Sequence, residues 1–208
     1  MAYESVEHFR RVHPDLPWIT SDSSSYAEKR HIFRLDNPSV PRAIAVPQKA
    51  EDVAAIIRLV RQLKIPVTVR SGGHDTWGRS IVQDGICIDM RDINFVEVSP
   101  DRKTARIGGG ILTGQLLEVL EKEDLVAASG SVPDVGYISW ATLTGYGPMS
   151  TGWGLGVDQI VEVEAVNAQG EIAPAGPELL AGFRGAGGHF GVAVSLKIKI
   201  YELKTVSQ

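Results

Sequence analysis

The sequence predicts a mixed fold of helices and strands, α+β or α/β, and three observations carry that expectation. Stretches with helical spacing alternate with stretches of strand character. Glycine supplies 22 of 208 residues and falls in clusters (Gly72-Gly73, Gly108 to Gly110, Gly130 to Gly156, Gly185 to Gly191), each behind a segment that reads as a strand. Hydrophobic residues at 43% and charged residues at 22% stay near globular averages, which excludes a disordered tail, a collagen-like rod and a coiled coil. The length suits one large domain or two small ones.

Residues 1–36 are mixed in character and read as an N-terminal extension, with Ser21–Ser25 a loop and Tyr26–Phe33 a short element. Ala43–Val46 is a brief apolar strand stopped by Pro47. Ala50–Leu63 is the clearest helix: Val53, Ile56, Ile57, Val60 and Leu63 recur at helical spacing, and Glu51 and Asp52 put negative charge in its first turn. Its polar face, Arg58, Arg61 and Lys64, reads as solvated surface. Ile65–Val69 is a strand that runs into Arg70-Ser71-Gly72-Gly73-His74. Strands follow at Gly85–Met90, Phe95–Val98 and Thr104–Ile107, then a helix from Thr113 to Lys122. Ile160–Ala168 is a strand ended by Gln169-Gly170. Val192–Tyr201 alternates, with Val192, Val194, Leu196, Ile198 and Ile200 on one face.

Lys and Arg at 21 against Asp and Glu at 25 give a formal charge of −4, with no basic stripe to suit nucleic acid. No apolar run is long enough to span a membrane, and the first residues lack the apolar core of a signal peptide. The lone cysteine, Cys87, allows neither an internal disulfide nor a zinc site of its own and reads as a small core residue. The expectation is a cytoplasmic protein with no metal.

Several common motifs fail. No G-x-G-x-x-G lies between a strand and a helix, no Gly-Lys pair exists for a P-loop, and H-E-x-x-H and G-x-S-x-G are absent. What remains is Val67 to Asp75, V-T-V-R-S-G-G-H-D. Main-chain N–H groups on a Gly-Gly turn form a nest that can hold a phosphate, Arg70 can add charge beside it, and His74 stands at its rim. The bland alternative, a strand-ending turn with a solvated histidine, is equally compatible with these residues taken alone.

The chain resembles the PCMH-type, vanillyl-alcohol-oxidase-like flavoproteins in their berberine-bridge-enzyme-like branch. The resemblance runs from Arg42 to about Tyr201 and is carried by motifs in order: RAIAVPQKAEDVAAIIRLVRQLKIPVTVRSGGHD, then GICIDMRDINFVEVSPDRKTARIGGG and the stretch to SGSVPDVG, then GWGLGVDQIVEVEAVNAQGEI, then ELLAGFRGAGGHFGVAVSLKIKIYEL. It implies an α+β, PCMH-type FAD-binding domain over 37–208, with two small sheets flanked by helices and no separate substrate domain.

By the same resemblance Arg70, Ser71, Gly72, Gly73, His74 and Asp75 match the loop that holds the FAD pyrophosphate. His74 matches the histidine that many members bond to the flavin 8α-methyl. Gly130, Ser131, Pro133, Val135 and Gly136 match a second flavin loop. Bicovalent members carry a cysteine at the place of Val132, so His74 is the one covalent link open to this chain. Thr142, Gly145 and Gly147 match a third loop, in which Leu143, Thr144 and Tyr146 replace smaller residues. Asp158 and Ile160 match the segment by the isoalloxazine, and Gly191 and Val192 the adenine side. Tyr137 and Tyr146 are the candidate catalytic residues, and Trp153 and His189 are further loop residues with a solvated or packing role as the plainer reading.

The functional expectation is an FAD-dependent oxidoreductase, an oxidase or oxidative cyclase, on a small organic substrate of secondary-metabolite type. Family members are usually at least twice this length, with a substrate domain that covers the flavin. Two alternatives stand beside that expectation: a non-redox cyclase, isomerase or dehydratase on a degenerate flavin scaffold, and a flavin-binding subunit completed by a homodimer partner or a complementary subunit.

Overall fold

The computed structural model describes Ala2 to Leu203, with side chains from Val6 onward. In chain order the elements are α1 (Ala2–Val12), β1 (Trp18–Ile19), α2 (Tyr26–Arg30), β2 (Ala43–Ala45), α3 (Ala50–Leu63), β3 (Val67–Arg70), β4 (Ile86–Asp89), β5 (Val96–Val98) and β6 (Thr104–Gly108). There follow α4 (Thr113–Glu121), β7 (Leu125–Val126), α5 (Tyr137–Thr142), α6 (Ser150–Trp153), α7 (Gly156–Gln159), β8 (Ile160–Val166), β9 (Ile172–Pro174), α8 (Pro177–Ala186), β10 (Val192–Lys199) and β11 (Tyr201–Glu202).

Two sheets carry the fold, with a two-stranded pair, β7-β11, beside them. The first has the order β1-β2-β4-β3, with β2 and β3 both parallel to the central β4. Parallel neighbours need a crossover, and α3 supplies it between β2 and β3. The second sheet, β5-β6-β10-β8-β9, is antiparallel throughout. The alternation along Val192–Ile200 is the signature of its central strand β10, whose register shifts twice against β8.

Helix α3 is wedged between the sheets. Val53, Ile56 and Val60 share one core with Ile86 and Ile88 of the first sheet and Val166, Val192 and Val194 of the second. A second core joins the other face of the antiparallel sheet to α4, α5 and Phe183 of α8. The polar face of α3 departs from the expectation of a solvated surface at one position: the Arg58 guanidinium donates to the Gly170 carbonyl at 2.6 Å, tying the helix to the turn between β8 and β9.

The described part of the N-terminal segment packs into the same architecture. Phe9 and Leu16 belong to the α3 core, and β1 pairs antiparallel with β2, Trp18 opposite Ala45. At the other end Tyr201 of β11 pairs with Val126, stacks on Trp153 at 4.1 Å and donates its hydroxyl to Gln159 at 2.7 Å. No helix among the described residues is long and apolar enough to cross a membrane.

Candidate functional site

The parallel strands β3 and β4 end side by side, and their last residues create the base of the site. Arg70 lies opposite Asp89, with side chains 1% and 2% exposed and Nη2 and Oδ2 2.5 Å apart. The same carboxylate takes Arg91 at 2.6 Å, and the Arg70 Nη1 donates to the His31 carbonyl at 3.2 Å. Burial alone would raise the Asp89 pKa, but the hydrogen bond from Arg91 and the charge of Arg70 outweigh it and hold the carboxyl below its ordinary value. This corrects the expectation that Arg70 lends its charge to an anion in the cleft: the guanidinium is enclosed in an internal ion pair.

Above that base the glycine loops stack backbone on backbone. A Cβ on Gly72 would lie 2.3 Å from the Asp134 carbonyl oxygen and 2.4 Å from the Gly136 nitrogen. One on Gly136 would meet the Ser71 hydroxyl at 1.9 Å. Gly73 has φ +72, the left-handed conformation glycine adopts without strain. Gly145 and Gly156 press together in the same manner, and Gly147 lies on the Ser129 carbonyl. Much of the glycine surplus therefore serves loop-on-loop packing and leaves the exposed side of Ser71–Asp75 as a wall.

Two adjoining cavities, of about 620 and 510 Å³, open along this wall. Both volumes fall in the range of small-molecule sites. They share Val69, Ser71, Arg79, Ser139 and Leu143, so they form two chambers of one cleft joined at a neck. The smaller chamber carries Gly72, Gly73, His74, Asp75, Val135, Gly136, Gly145 and Tyr146. The larger carries Thr142, Gly191 and Val192, with Val67, Asn167 and Phe190. His74 stacks on Phe33 at 5.0 Å. Asp75 accepts from the Trp77 and Arg79 main-chain N–H groups, closing the turn that follows the loop.

His189 also lines the larger chamber, and the remaining expected residues lie off the cleft. Tyr137 is fully buried and donates its hydroxyl to the Ala128 carbonyl at 2.9 Å. Burial pushes its pKa up, so it is a structural anchor and not an accessible base, which corrects its catalytic assignment. Gly130 backs onto the Trp140 ring, and Pro133 packs on Gly114. Ser131 is exposed, and neither it nor Pro133 lines either chamber. Asp158 accepts from the Leu155 N–H at 2.8 Å, and Ile160 is core. Cys87 is buried with its thiol pKa pushed up to about 12 by desolvation.

Sequence reasoning missed Val67, Ser139, Arg79 and Asn167. The first had a signal: Val67 and Val69 lie two apart on one face of β3, and both stay about 40% exposed, at 39% and 41%. Ser139 and Arg79 had none, since only the folded chain brings the Ser139 hydroxyl to 2.9 Å from that of Ser71.

The FAD binding domain family matches residues 41–176. The chain belongs to that family. It is 38% identical over 195 residues to the FAD-linked oxidoreductase aurO of Gibberella zeae, an alignment covering 93% of this chain and 38% of that protein. The crystal structure of 6-hydroxy-D-nicotine oxidase from Arthrobacter nicotinovorans superposes with a TM-score of 0.87 at 32% identity, covering 90% of this chain and 42% of the other. Glucooligosaccharide oxidase from Acremonium strictum, described with a 6-S-cysteinyl, 8α-N1-histidyl FAD, shares the fold at a TM-score of 0.88 and 23% identity, over 95% of this chain and 43% of that one. The chain spans about two fifths of the length of the proteins it matches.

The residues present fit FAD. A dinucleotide is two ring systems joined by a diphosphate, and the cleft is two chambers joined at a neck. The glycine loop beside the neck, with Gly73 in the left-handed region, is the kind of backbone that presents N–H groups to phosphate.

Proposed function

We propose that the chain is the flavin-binding part of an FAD-dependent oxidoreductase, an oxidase or oxidative cyclase acting on a small organic substrate of secondary-metabolite type. The observation that carries this reading is the two-chambered cleft with His74 on the lining of one chamber. When bound, FAD supplies the hydride acceptor. The protein's share is to hold the cofactor along Ser71–Asp75 and to present His74 for covalent attachment. Tyr146, on the chamber lining and 77% exposed, is the tyrosine of this chain placed to touch a substrate.

An absorption spectrum of the purified protein, before and after acid precipitation, tests the reading. Flavin absorbance is expected to remain with the acid pellet of the wild-type protein and to pass to the supernatant in His74→Ala. Colourless protein that takes up no added FAD would overturn it.

The rim of the smaller chamber favours a second component. Phe33, which stacks on His74, and Tyr146, which lines the chamber, are 62% and 77% exposed, and Trp77, in the turn that Asp75 closes after the loop, is 75% exposed; apolar surface of that kind is usually covered. A partner copy or a complementary subunit over the flavin is therefore part of the proposal. A monodisperse monomer with full substrate turnover would count against it.

A further inference from the structure

The middle of a dinucleotide is its diphosphate, so in a cleft of two chambers the diphosphate comes to rest at the neck. The neck contains two hydroxyls, those of Ser71 and Ser139, and one cation, Arg79. Among the described residues no other Arg or Lys lines either chamber. The geometry points to Arg79 as the charge partner of the diphosphate, a role that its neighbour Arg70 cannot fill from inside its ion pair with Asp89. This assignment rests on the reading of the cleft as an FAD site.

Three features fit Arg79 for the role. Its backbone is fixed, because the Thr68 hydroxyl donates to the Arg79 carbonyl at 2.6 Å and the Arg79 N–H donates to Asp75. Its side chain is 73% exposed and free to turn. Its guanidinium is held only by the long contacts to Asp75, 3.3 and 3.4 Å. Asp75 thus parks the guanidinium beside the glycine loop, and a diphosphate in the neck draws it from one carboxylate to a doubly charged group, a stronger and bidentate partner for arginine. The main-chain N–H groups of the loop offer partial positive charge to an anion, and Arg79 adds a full charge that strengthens the preference of the cleft for phosphate-bearing ligands.

Fluorescence titration of the wild-type chain and of Arg79→Gln with FAD, ADP and riboflavin tests the assignment. The variant is expected to bind FAD and ADP about tenfold more weakly, roughly 1.4 kcal/mol, and riboflavin with unchanged affinity. The salt dependence of ADP binding should also be shallower in the variant, and Arg79→Lys should restore part of the affinity. Equal weakening for riboflavin, or no change for ADP, would overturn the role of Arg79. Wild-type binding of ADP that depends on Arg79, without binding of FAD, would uphold Arg79 and overturn the FAD reading. Riboflavin binding without ADP binding would do the reverse.

Discussion

The base and the rim of the Ser71–Asp75 loop are made of opposite materials. At the base, Asp89 sits between Arg70 and Arg91 with its carboxylate 2% exposed, and the loop backbone lies against Val135 and Gly136 with no room for a methyl group. At the rim, Phe33 stacks on His74, Tyr146 lines the same chamber and Trp77 lies in the turn just after the loop, and all three stand more than half in solvent. The loop's shape is therefore set from beneath, by internal charges and close backbone contact. What the rim meets is left to a ligand or a partner. A rigid base below an uncommitted rim is the arrangement expected of a site that must be preformed before its cofactor arrives.

The largest break in that contrast is Asp89→Asn. Removing one partner from a buried ion pair leaves uncompensated charge, here on two arginines, and is expected to lower stability by about 3–5 kcal/mol, read from the midpoint of urea unfolding. The same interaction gives a pH signature. Because the folded state holds the Asp89 pKa below its unfolded value, its contribution is fully present above about pH 4 and fades as pH falls through the lower, folded pKa. The wild-type protein should lose this increment on acidification, and Asp89→Asn should show a flatter stability profile there.

Gly72→Ala comes next. Its methyl group would press on a carbonyl oxygen and a main-chain nitrogen that cannot swing aside, so a loss of about 2–3 kcal/mol is expected in the same assay. Gly188 lies in the short 3-10 helix Gly187–Phe190 on the lining of the larger chamber, and a methyl group there would have nothing within 4 Å. Gly188→Ala should therefore stay within about 0.5 kcal/mol of wild type. Similar losses at the two positions would mean that glycine in this chain serves flexibility and not loop stacking.

The legible and the hidden parts of the molecule divide along the same physical line. Helix α3 could be read at its observed bounds, Ala50–Leu63, because its apolar spacing is local. The glycine loop could be read only with the ordered motifs around it, because Val67–Asp75 taken alone suits a plain strand-ending turn equally well. The two-residue strands β1 and β7 could not, since Trp18 and Val126 become strand only through Ala45 and Tyr201, far away in sequence, and Tyr201 read as the end of Val192–Tyr201 and not as the separate strand β11. The same limit governs the arginines. Arg70 and Arg79 flank one loop, and only Arg70, next to the Gly-Gly turn, read as a candidate for phosphate. Which of them is buried is decided by Asp89 on the neighbouring strand. Register, not composition, assigns the charge.

The smallest effect is expected at the rim, and it is the one that separates rim from base most sharply. Trp77 is 75% exposed, so folding recovers little of its apolar surface, and Trp77→Ser should change unfolding free energy by no more than about 0.5 kcal/mol. If the rim is a covered surface in the working protein, the cost of that substitution appears elsewhere. It should reduce association, seen as a shift toward monomer in sedimentation velocity, while the unfolding midpoint of the monomer stays in place. A loss of stability approaching that of Gly72→Ala would show that the rim is packed by this chain itself, and the division between a preformed base and an uncommitted rim would not hold.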